Sequence, residues 1–330
     1  MASLLSSEEK NKAEKKAQPE WMNPTLAKLT DDYFSDPDWI YERKLDGVRC
    51  LVFKDGDSVK LLSRNKKSQN DIYPELINSL KNQDQSFIAD GEIVTFDGNL
   101  TSFSKLQARI NVKNPSKERI KGTDVFFYIF DCMYIDGYDI TALDTRSRKA
   151  LLKKGMKFGD PLRYLEHINE QGEKYHSEAC KKGWEGVIAK DATRKYMHSR
   201  SSNWLKFKCV NQQELVIGGF TPPGGQRIGF GAILVGYYKN GELKYAGKVG
   251  TGYSDDELEE LRGKFDRLSR ETSPFSTDVD EKDATWLTPQ LVAEIGFTEW
   301  TNDHKLRHPR YKGLRHDKNP KDVVREKPKN

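Results

Sequence analysis

The hexapeptide Lys44-Leu45-Asp46-Gly47-Val48-Arg49 separates two apolar stretches, Trp39-Ile40-Tyr41 and Cys50-Leu51-Val52-Phe53. This arrangement predicts two strands joined by a loop that carries a lysine. A lysine attacks phosphorus only as the free amine, whereas an unperturbed ammonium group of pKa about 10.4 is almost wholly protonated at neutral pH. If Lys44 is a nucleophile, neighbouring cations or a metal must therefore lower its pKa.

Two further residues of the hexapeptide suit a nucleotide site. Gly47 has no side chain where a backbone must approach a ligand closely, and Arg49 offers a planar fork suited to phosphate. A polar hairpin turn built on Asp46-Gly47 explains the same residues without any chemistry, and taken alone it is the better interpretation. The choice between the two therefore depends on the rest of the chain.

Length and composition limit the protein class. The 330 residues are more than one typical core needs, so two domains are expected. With 55 basic and 50 acidic residues the net charge is +5, which alone indicates no particular partner. Residues 301–330 hold ten Lys and Arg, a run compatible with a polyanionic partner and also with a solvated tail.

Cysteine usage and apolar runs indicate the compartment. The cysteines at positions 50, 132, 180 and 209 stand singly, so neither a zinc ribbon nor a disulfide framework is predicted, and a reducing cytoplasmic setting fits. The six histidines show no metal-ligand spacing. No apolar run approaches transmembrane length, and the N-terminus has no apolar core of signal-peptide type. A cytoplasmic protein without a membrane partner is therefore expected.

Several stretches before residue 200 predict regular secondary structure. The acidic step Asp90-Gly91-Glu92 lies within an apolar strand, where carboxylates cost free energy unless they meet a metal, a hydroxyl or a cation. Residues 125–131 indicate a buried strand, in which Phe130 could simply be core. The other predicted elements are strands at 59–62 and 186–189 and helices at 72–80, 145–154 and 173–182.

Residues 203–208 alternate between polar and apolar side chains. Alternation places Lys206 and Lys208 on one face of a strand and Leu205 and Phe207 on the other. Two cations about 7 Å apart on one face repel each other unless an anion lies between them. A phosphate site explains this pair, as does an exposed edge strand that guards against aggregation.

Beyond Cys209 short strands dominate. Strands are predicted at 214–220, 232–238, 243–249 and 291–298, with one helix that opens at Ser254 with a capping box to Glu257. About five strands with one inserted helix suggest a small barrel of the oligonucleotide-binding type, with the domain boundary near residues 210–213. The glycine-rich residues 224–231 lack the GxxxxGK[ST] pattern, so a mobile surface loop is expected there rather than a phosphate-binding loop.

The order of these stretches resembles the covalent nucleotidyltransferase superfamily, which comprises ATP-dependent DNA ligases, RNA ligases and mRNA capping enzymes. Seven motifs match in the order of that superfamily over residues 44–318. They are Lys44 to Arg49, Arg64, Asp90-Gly91-Glu92, Tyr128-Ile129-Phe130-Asp131, Glu185-Gly186-Val187-Ile188-Ala189-Lys190, Trp204-Leu205-Lys206-Phe207-Lys208 and Arg315-His316-Asp317-Lys318. Coincidence does not explain seven motifs in order, so the turn interpretation of the hexapeptide is set aside.

Within the superfamily the chain is most similar to the ligase domain of bacterial end-joining ligase D, in residues 200–206, 229–236 and 306–315. Nothing corresponds to that family's polymerase or phosphoesterase domains, and residues 1–20 are too short for either. The resemblance implies an α+β fold in two domains. A nucleotidyltransferase domain of ATP-grasp-like antiparallel sheets with flanking helices is expected at 21–212, and an OB-fold β-barrel at 213–320. Residues 1–20 are expected to form a polar tail and 321–330 a basic tail.

The resemblance also implies a role for each motif residue in ATP-dependent lysyl adenylation. The catalytic group comprises the nucleophile Lys44 with Asp46, Arg49, Lys206, Lys208, Arg315, Asp317 and Lys318. The nucleotide would contact Phe130 beneath adenine, Glu42 at its amino group, Glu92 at the ribose, and Arg49, Lys206 and Lys208 at the α-phosphate, with Arg64, Glu185 and Arg200 nearby. Arg64 would later hold the 5′-phosphate of the broken strand. Mg²⁺, or Mn²⁺ in its place, would bind Glu185, Glu92 and Asp46.

The implied partner is double-stranded DNA with nicks or ends, bound mainly through phosphates and therefore salt-dependent. A DNA-associated monomer is expected, with an end-binding protein acting in trans as a possible further partner. Two alternatives remain at this stage. One is an RNA ligase or a capping guanylyltransferase, and the other is a nucleic-acid-binding module that has lost catalysis, which the filled catalytic positions disfavour.

Overall fold

The computed structural model describes residues 4–110, 112–209, 211–225 and 227–326. The chain divides into two compact units, the first ending at Cys209 and the second ending at Glu326. The boundary position 210 itself lies outside the described residues. Each unit has its own buried core, so each is described by itself.

The first unit alternates strands with short helices. Its strands are β1 (Glu14–Lys15), β2 (Leu26–Leu29), β3 (Trp39–Arg43), β4 (Val48–Asp55), β5 (Ser58–Ser63), β6 (Phe87–Val94), β7 (Phe96–Asp97), β8 (Leu100–Thr101), β9 (Phe126–Ile135), β10 (Tyr138–Asp139), β11 (Leu162–Tyr164), β12 (His167–Asn169), β13 (Gly186–Asp191) and β14 (Arg200–Lys208). Its helices are α1 (Ser7–Lys12), α2 (Pro74–Lys81), α3 (Phe103–Ile110), α4 (Lys117–Gly122), α5 (Thr145–Gly155) and α6 (Gly172–Lys181).

The first sheet of this unit has the strand order β1-β10-β9-β6-β4-β5, with β11 added in parallel to β9. Helices form where leucines recur at helical spacing, and those leucines face the sheet. Leu76 and Leu80 of α2 and Leu151 and Leu152 of α5 are all buried in the same cluster as the apolar face of β9. The helices predicted over these residues are confirmed.

The second sheet has the order β12-β3-β13-β14-β2. Strands β3 and β4 follow each other in the chain but belong to different sheets, so the hexapeptide is a crossover between sheets and not a hairpin turn. Strand β14 pairs with β13 on one side and β2 on the other. The edge-strand interpretation of Lys206 and Lys208 is therefore wrong.

The N-terminal residues differ from the predicted polar tail. Leu5 is buried in the first core, and β1 pairs with β10. The Lys16 ammonium group lies 2.7 Å from the Asp139 carboxylate. The apolar content of residues 4–20 is too small to show this packing in the sequence, because two-residue strands and single anchors carry no periodicity.

The second unit is a curled antiparallel sheet with one helix, of the OB-fold type. Its strands are β15 (Asn211–Phe220), β16 (Ile233–Lys239), β17 (Glu242–Val249), β18 (Ser269–Arg270), β19 (Thr285–Phe297), β20 (Glu299–Trp300), β21 (Leu306–Arg307) and β22 (Arg310–Leu314), and its helix is α7 (Asp255–Asp266). The sheet runs β17-β16-β15-β19-β18, with β22 on β19. The capping box between Ser254 and Glu257 is present as predicted.

The C-terminal residues also differ from a solvated tail as far as they are described. Val323 is buried, and its carbonyl accepts a hydrogen bond of 2.7 Å from the Tyr238 amide. The Gln213 side chain donates to the carbonyl of Val324 at 2.9 Å. Residues 327–330 of the predicted basic tail lie outside the described residues.

A disulfide corrects the prediction from cysteine spacing. Cys180 in α6 and Cys209 after β14 are bonded, with their Cα atoms 5.1 Å apart and a sequence separation of 29. His176 lies one turn before Cys180, so the ring nitrogen and both sulfurs form a close group. The prediction failed because no local CxxC pattern shows a pair that only the fold brings together.

Among the described residues, no helix is both long enough and apolar enough to cross a membrane.

Candidate active site

The site is built on one face of the second sheet. Glu42 of β3 lies opposite Ile188 of β13, which in turn lies opposite Lys206 of β14. One row further along, the Lys44 amide donates to the Gly186 carbonyl at 2.9 Å, and Gly186 lies opposite Lys208. Because alternate residues of a strand share a face, Glu42, Lys44, Lys206 and Lys208 lie on the same side of the sheet.

The opposite face of this sheet is apolar. Leu205 and Phe207 are buried there with Tyr41 and Val187. The strand predicted for residues 203–208 is confirmed, with Leu205 and Phe207 on the apolar face and both lysines pointing away from this core. The apolar face thus fixes the register that presents the lysines.

Lys44 forms an ion pair with Glu185, the residue immediately before β13. The side chains of Lys44 and Glu185 are 17% and 8% exposed, so the pair is largely shielded from solvent. The second carboxylate oxygen of Glu185, Oε2, is buried without a hydrogen-bond partner among the described residues. A buried oxygen of this kind is a suitable ligand for a hard divalent cation.

The Asp90 carboxylate, for which the sequence predicted no role, holds the Arg49 guanidinium group. Its Nε and one terminal nitrogen donate to Asp90 at 2.9 and 2.5 Å, and the Tyr196 hydroxyl donates to the same carboxylate at 2.6 Å. Burial opposes the charged form, but the Asp90 charge outweighs it and raises the pKa of Arg49 above its usual range. The guanidinium group is therefore permanently charged and positioned.

Glu42 is fully buried between two lysines that supply its counter-charge. Lys190 lies 2.7 Å from one carboxylate oxygen, and Lys149 of α5 bonds the other. Burial is the largest influence on the Lys190 ammonium group and lowers its pKa, although Glu42 opposes this. Lys190 stood in a matched motif, whereas no sequence pattern marked Lys149, which reaches Glu42 from 107 residues away.

The predicted adenine platform lies beside this group. The Lys190 ammonium group is 4.4 Å from the centre of the Phe130 ring, and the Arg49 guanidinium group is 5.2 Å from it. Phe130 is 7% exposed and packs edge-on against Trp204. The structure thus brings Phe130 together with Glu42 and Arg49, while their contacts with adenine stay predictions.

The remaining predicted residues of the first unit lie around the same two sheets. Glu92 of β6 stands opposite Arg49, and the Asp46 amide donates to the Thr101 hydroxyl at 3.2 Å. Arg64 follows the end of β5, and Arg200 at the start of β14 donates to the Ala27 carbonyl at 3.0 Å. Glu92 and Arg49 are therefore immediate neighbours, and Arg200 is engaged with the backbone of β2.

The C-terminal motif belongs to the second unit. Arg315 donates to both oxygens of Asp317 at 2.9 and 3.0 Å, and Lys318 lies 2.7 Å from Glu214. Burial opposes ionisation of Asp317, but Arg315 outweighs it and lowers the pKa of Asp317. These three predicted catalytic residues thus form ion pairs within their own unit, and their role toward ATP stays a prediction.

Two glycines of the matched motifs are required by backbone packing. A Cβ atom on Gly47 would lie 2.2 Å from the Ile93 carbonyl oxygen, so the close approach is to β6 and not to a ligand as expected. Gly186 has a φ of +146°, and a Cβ atom there would lie 2.1 Å from the Phe207 carbonyl oxygen. Both glycines let strands meet closely beside the residues that carry charge.

Amines and carboxylates of the second sheet, with a fixed guanidinium group and an aromatic ring of the first sheet beside them, suit phosphoryl transfer from a nucleotide. Residues 24–208 match the family model described as the ATP dependent DNA ligase domain, and residues 226–318 match the ATP dependent DNA ligase C terminal region. The chain belongs to the ATP-dependent DNA ligase family. The predicted resemblance is confirmed.

Curated relatives of this ligase family share both units. The multifunctional non-homologous end joining DNA repair protein LigD of Mycobacterium tuberculosis is 36% identical over 295 residues, which cover 87% of this chain and 37% of the relative. LigD of Pseudomonas aeruginosa is 33% identical over 324 residues, covering 95% and 38%. The chain therefore spans less than two fifths of the length of these LigD relatives.

Solved ligase structures have the same fold. A structure described as mycobacterial DNA ligase D complexed with ATP and MES matches with a TM-score of 0.66 and 34% identity, covering 92% of this chain and 98% of that one. The ligase domain from M. tuberculosis LigD matches with a TM-score of 0.50 and 34% identity. A nucleotidyltransferase domain followed by an OB-fold-type domain, as predicted, is confirmed.

Proposed function

We propose that this ligase seals 5′-phosphate/3′-hydroxyl breaks in duplex DNA through a lysyl-AMP intermediate on Lys44. The observation that carries the proposal is the shared sheet face of Lys44, Lys206 and Lys208, with Glu185 against the nucleophile. The family models and relatives are DNA ligases, which favours DNA sealing over RNA ligation or capping.

Adenylation of Lys44 is the first step. The amine must lose a proton before attack, and the Glu185 carboxylate, its ion-pair partner, would accept it. The Lys44 nitrogen then bonds to the α-phosphorus of ATP as the bond to pyrophosphate breaks. Lys206, Lys208 and Arg49 would hold the α-phosphate, with adenine on Phe130 and the ribose at Glu92.

Transfer to DNA follows in two displacements. A 5′-phosphate oxygen attacks the AMP phosphorus, the nitrogen-phosphorus bond breaks, and Lys44 regains a proton. The 3′-hydroxyl oxygen then attacks the 5′-phosphate, loses its proton and releases AMP. Arg64, after β5, would hold the 5′-phosphate in these displacements. In the preceding adenylation step, the ion-paired motif of Arg315 and Asp317 would orient pyrophosphate as it leaves.

A divalent cation, Mg²⁺ or Mn²⁺, fits the carboxylates present. The Glu185 Oε2 atom is a buried oxygen without a hydrogen-bond partner among the described residues, and Glu92 and Asp46 would supply further oxygens. Bound there, the cation would neutralise charge on the phosphates.

Nicked or broken duplex DNA is the proposed partner, bound by a monomer through phosphate contacts, so affinity should fall steeply with salt. If the substrate is a double-strand break, a second protein that binds the ends would hold them together in trans.

Labelling with α-labelled ATP, GTP and NAD tests the chemistry. We expect a covalent adduct from ATP alone, and its loss in Lys44→Ala because the nucleophile is gone. Lys60→Ala, an exposed lysine of β5, is the matched control and should label normally. Label from GTP alone would indicate capping, sealing of single-stranded RNA without a duplex preference would indicate an RNA ligase, and label on Lys44→Ala would overturn the proposal.

A further inference from the structure

A cavity of about 720 Å³ lies in the first unit, lined by residues that were given no role above. This volume is within the range of small-molecule sites. Its lining combines aromatic rings and cations. The lining residues are Arg43, Phe96, Gly98, Asn99, Phe126, Tyr128, Arg163, Lys182 and Trp184.

The cations of the cavity lie over its rings. The Arg163 guanidinium carbon is 3.7 Å from the centre of the Phe126 ring, and that of Arg43 is 4.4 Å from the Trp184 ring. The Lys182 ammonium group is 5.0 Å from the same indole. Each ring is half-buried, so part of its surface remains accessible to a planar ligand beside the cation that lies over it.

The charge of Arg43 is left without a counter-ion in the described part of the chain. Its guanidinium group donates to the Asn99 carbonyl at 3.1 Å, while its Nε atom is buried with no acceptor among the described residues. Burial lowers the pKa of Arg43, which shows that desolvating this charge is costly. Arg163, by contrast, pairs with Asp160 at 2.5 Å. An anionic ligand would supply a counter-ion for the Arg43 guanidinium group.

Residues of the cavity are next to residues of the adenylation site in the chain and in the sheets. Arg43 directly precedes Lys44, and Trp184 directly precedes Glu185, but Arg43 and Lys44 point to opposite faces of the strand. Tyr128 stands opposite Glu92, the predicted ribose contact. Phe126, Tyr128 and Phe130 alternate along β9, so Phe126 lies about 13 Å from Phe130 by strand rise.

We propose that this cavity holds one unpaired nucleotide of the DNA beside the break, with its base against Trp184 and Phe126 and its phosphate at Arg43. Bases stack on aromatic rings without regard to sequence, and guanidinium groups suit phosphate. The inference rests on the proposed DNA ligase function and defines its substrate class: breaks with an unpaired nucleotide at the junction, as well as fully paired nicks. A free nucleotide has the same chemistry, so the test separates the two sources.

The test uses the full chain, preadenylated on Lys44, with DNA whose 3′ end is a dideoxynucleotide so that sealing is blocked. A fluorescent base, 2-aminopurine, is placed as the single unpaired nucleotide on either side of the break. We expect its fluorescence to be quenched on binding to the enzyme, because stacking on an aromatic ring quenches it. Free thymidine monophosphate at millimolar concentration should not reverse the quenching if the nucleotide belongs to DNA. Full reversal would assign the cavity to free nucleotides and overturn the proposal.

Two cavity variants and one control locate the effect. Trp184→Leu removes the indole, and Lys182→Glu reverses the charge of an exposed residue. Each should weaken binding of the DNA with the unpaired base about tenfold, close to the worth of one stacked base, and leave binding of a paired nick unchanged. Lys153→Gln removes an exposed charge on α5 outside the cavity lining and should leave both affinities unchanged.

Adenylation by labelled ATP distinguishes failure of the proposed ligase function from failure of the cavity inference. If no variant or wild-type protein forms the adduct, the proposed ligase function fails. If wild-type protein forms the adduct and seals nicks, but 2-aminopurine is not quenched, the cavity inference alone is wrong. Equal loss of affinity for paired and unpaired DNA in Trp184→Leu would also overturn it, because the residue would then support DNA binding in general.

Discussion

Asp131 and Arg148 form an ion pair in which both side chains are fully buried. Arg148 donates to the two oxygens of Asp131 at 2.8 and 3.0 Å, and this pairing lies next to Phe130 in the chain. Removing one partner leaves an uncompensated buried charge. We therefore expect Arg148→Met to lower the free energy of unfolding by about 3–5 kcal/mol, as measured by urea denaturation.

The double variant Asp131→Asn with Arg148→Met should recover much of that loss, because neither charge remains. Lys153→Met, an exposed site on the same helix, is the control and should change stability by less than about 0.5 kcal/mol. If Lys153→Met lowered the free energy of unfolding by a similar amount, the cause would be a general disturbance of helix α5 and not the loss of the buried ion pair.

His167 predicts a pH dependence of stability. Burial, helped by Lys149, lowers the pKa of His167 to about 4, whereas a histidine in an unfolded chain titrates near 6.5. Between these pH values the unfolded chain binds more protons, so the free energy of unfolding should fall as pH falls from 6.5 to 4. His167→Gln should flatten this slope in urea denaturation series, and the exposed His198→Gln should not. An unchanged slope in His167→Gln would contradict the prediction.

At the scale of residues, sequence reasoning found the groups of the site but not their partners. Each motif is a short run of neighbouring residues, so the sequence alone predicts that Lys44, Arg49 and Phe130 belong to one site. Lys149 pairs with Glu42 across 107 residues, and no periodicity or spacing connects them. Pairings of that kind are decided by tertiary packing alone.

At the scale of elements, the contact of β13 with β14 depends on Gly186. A methyl group there would press on the Phe207 carbonyl oxygen, and the backbone φ of +146° disfavours any other residue. We expect Gly186→Ala to lower the melting temperature and to reduce lysyl-AMP formation, since Glu185 is displaced with the strand. Scanning calorimetry and ATP labelling measure the two effects.

Gly263→Ala is the matched control, because a Cβ atom there meets nothing within 4 Å inside helix α7. Alanine suits a helix better than glycine, so this variant should be as stable as the wild type or more so by up to about 1 kcal/mol. Normal adenylation in Gly186→Ala would contradict the prediction, because it would show that the position of the Glu185 carboxylate does not depend on the backbone at the start of β13.

Which strands exist was largely predictable, but not which sheet each one joins. The alternation in 203–208 indicated a strand with a charged face, and burial of Leu205 and Phe207 bears this out. Strands β3 and β4 are predicted as two strands joined by a loop, and their neighbourhood in the chain favours pairing, yet they belong to separate sheets. Neighbours in sequence usually pair, and only the long-range registers of β6 and β13 overrule that tendency here.

At the scale of the whole molecule, the Cys180–Cys209 disulfide closes a loop with a sequence separation of 29 residues. Closing a loop of this length in the unfolded chain stabilises the folded state by about 3.6 kcal/mol in the chain-entropy model. Cys180→Ser should therefore melt several degrees below the oxidised wild type. Dithiothreitol should lower the melting temperature of the wild type toward that of the variant and leave the variant unchanged.

Cys132→Ser tests whether the loss comes from the crosslink, since Cys132 is a buried free thiol. Its melting temperature should remain sensitive to dithiothreitol. If dithiothreitol did not change the melting temperature of the wild type, the sulfurs of Cys180 and Cys209 would not be bonded in solution.

The loop enclosed by this disulfide contains Glu185, Lys206 and Lys208, and Cys209 is where the chain leaves the first unit. Tension arriving along the backbone from the second unit would thus pass through the sulfur bridge into α6 and bypass the catalytic strands. With the bridge cut, the same pull would be borne by the hydrogen bonds of β14, where the two lysines sit. We therefore expect the disulfide to carry this force in place of β14. In single-molecule stretching, β14 should detach at lower force once the disulfide is reduced.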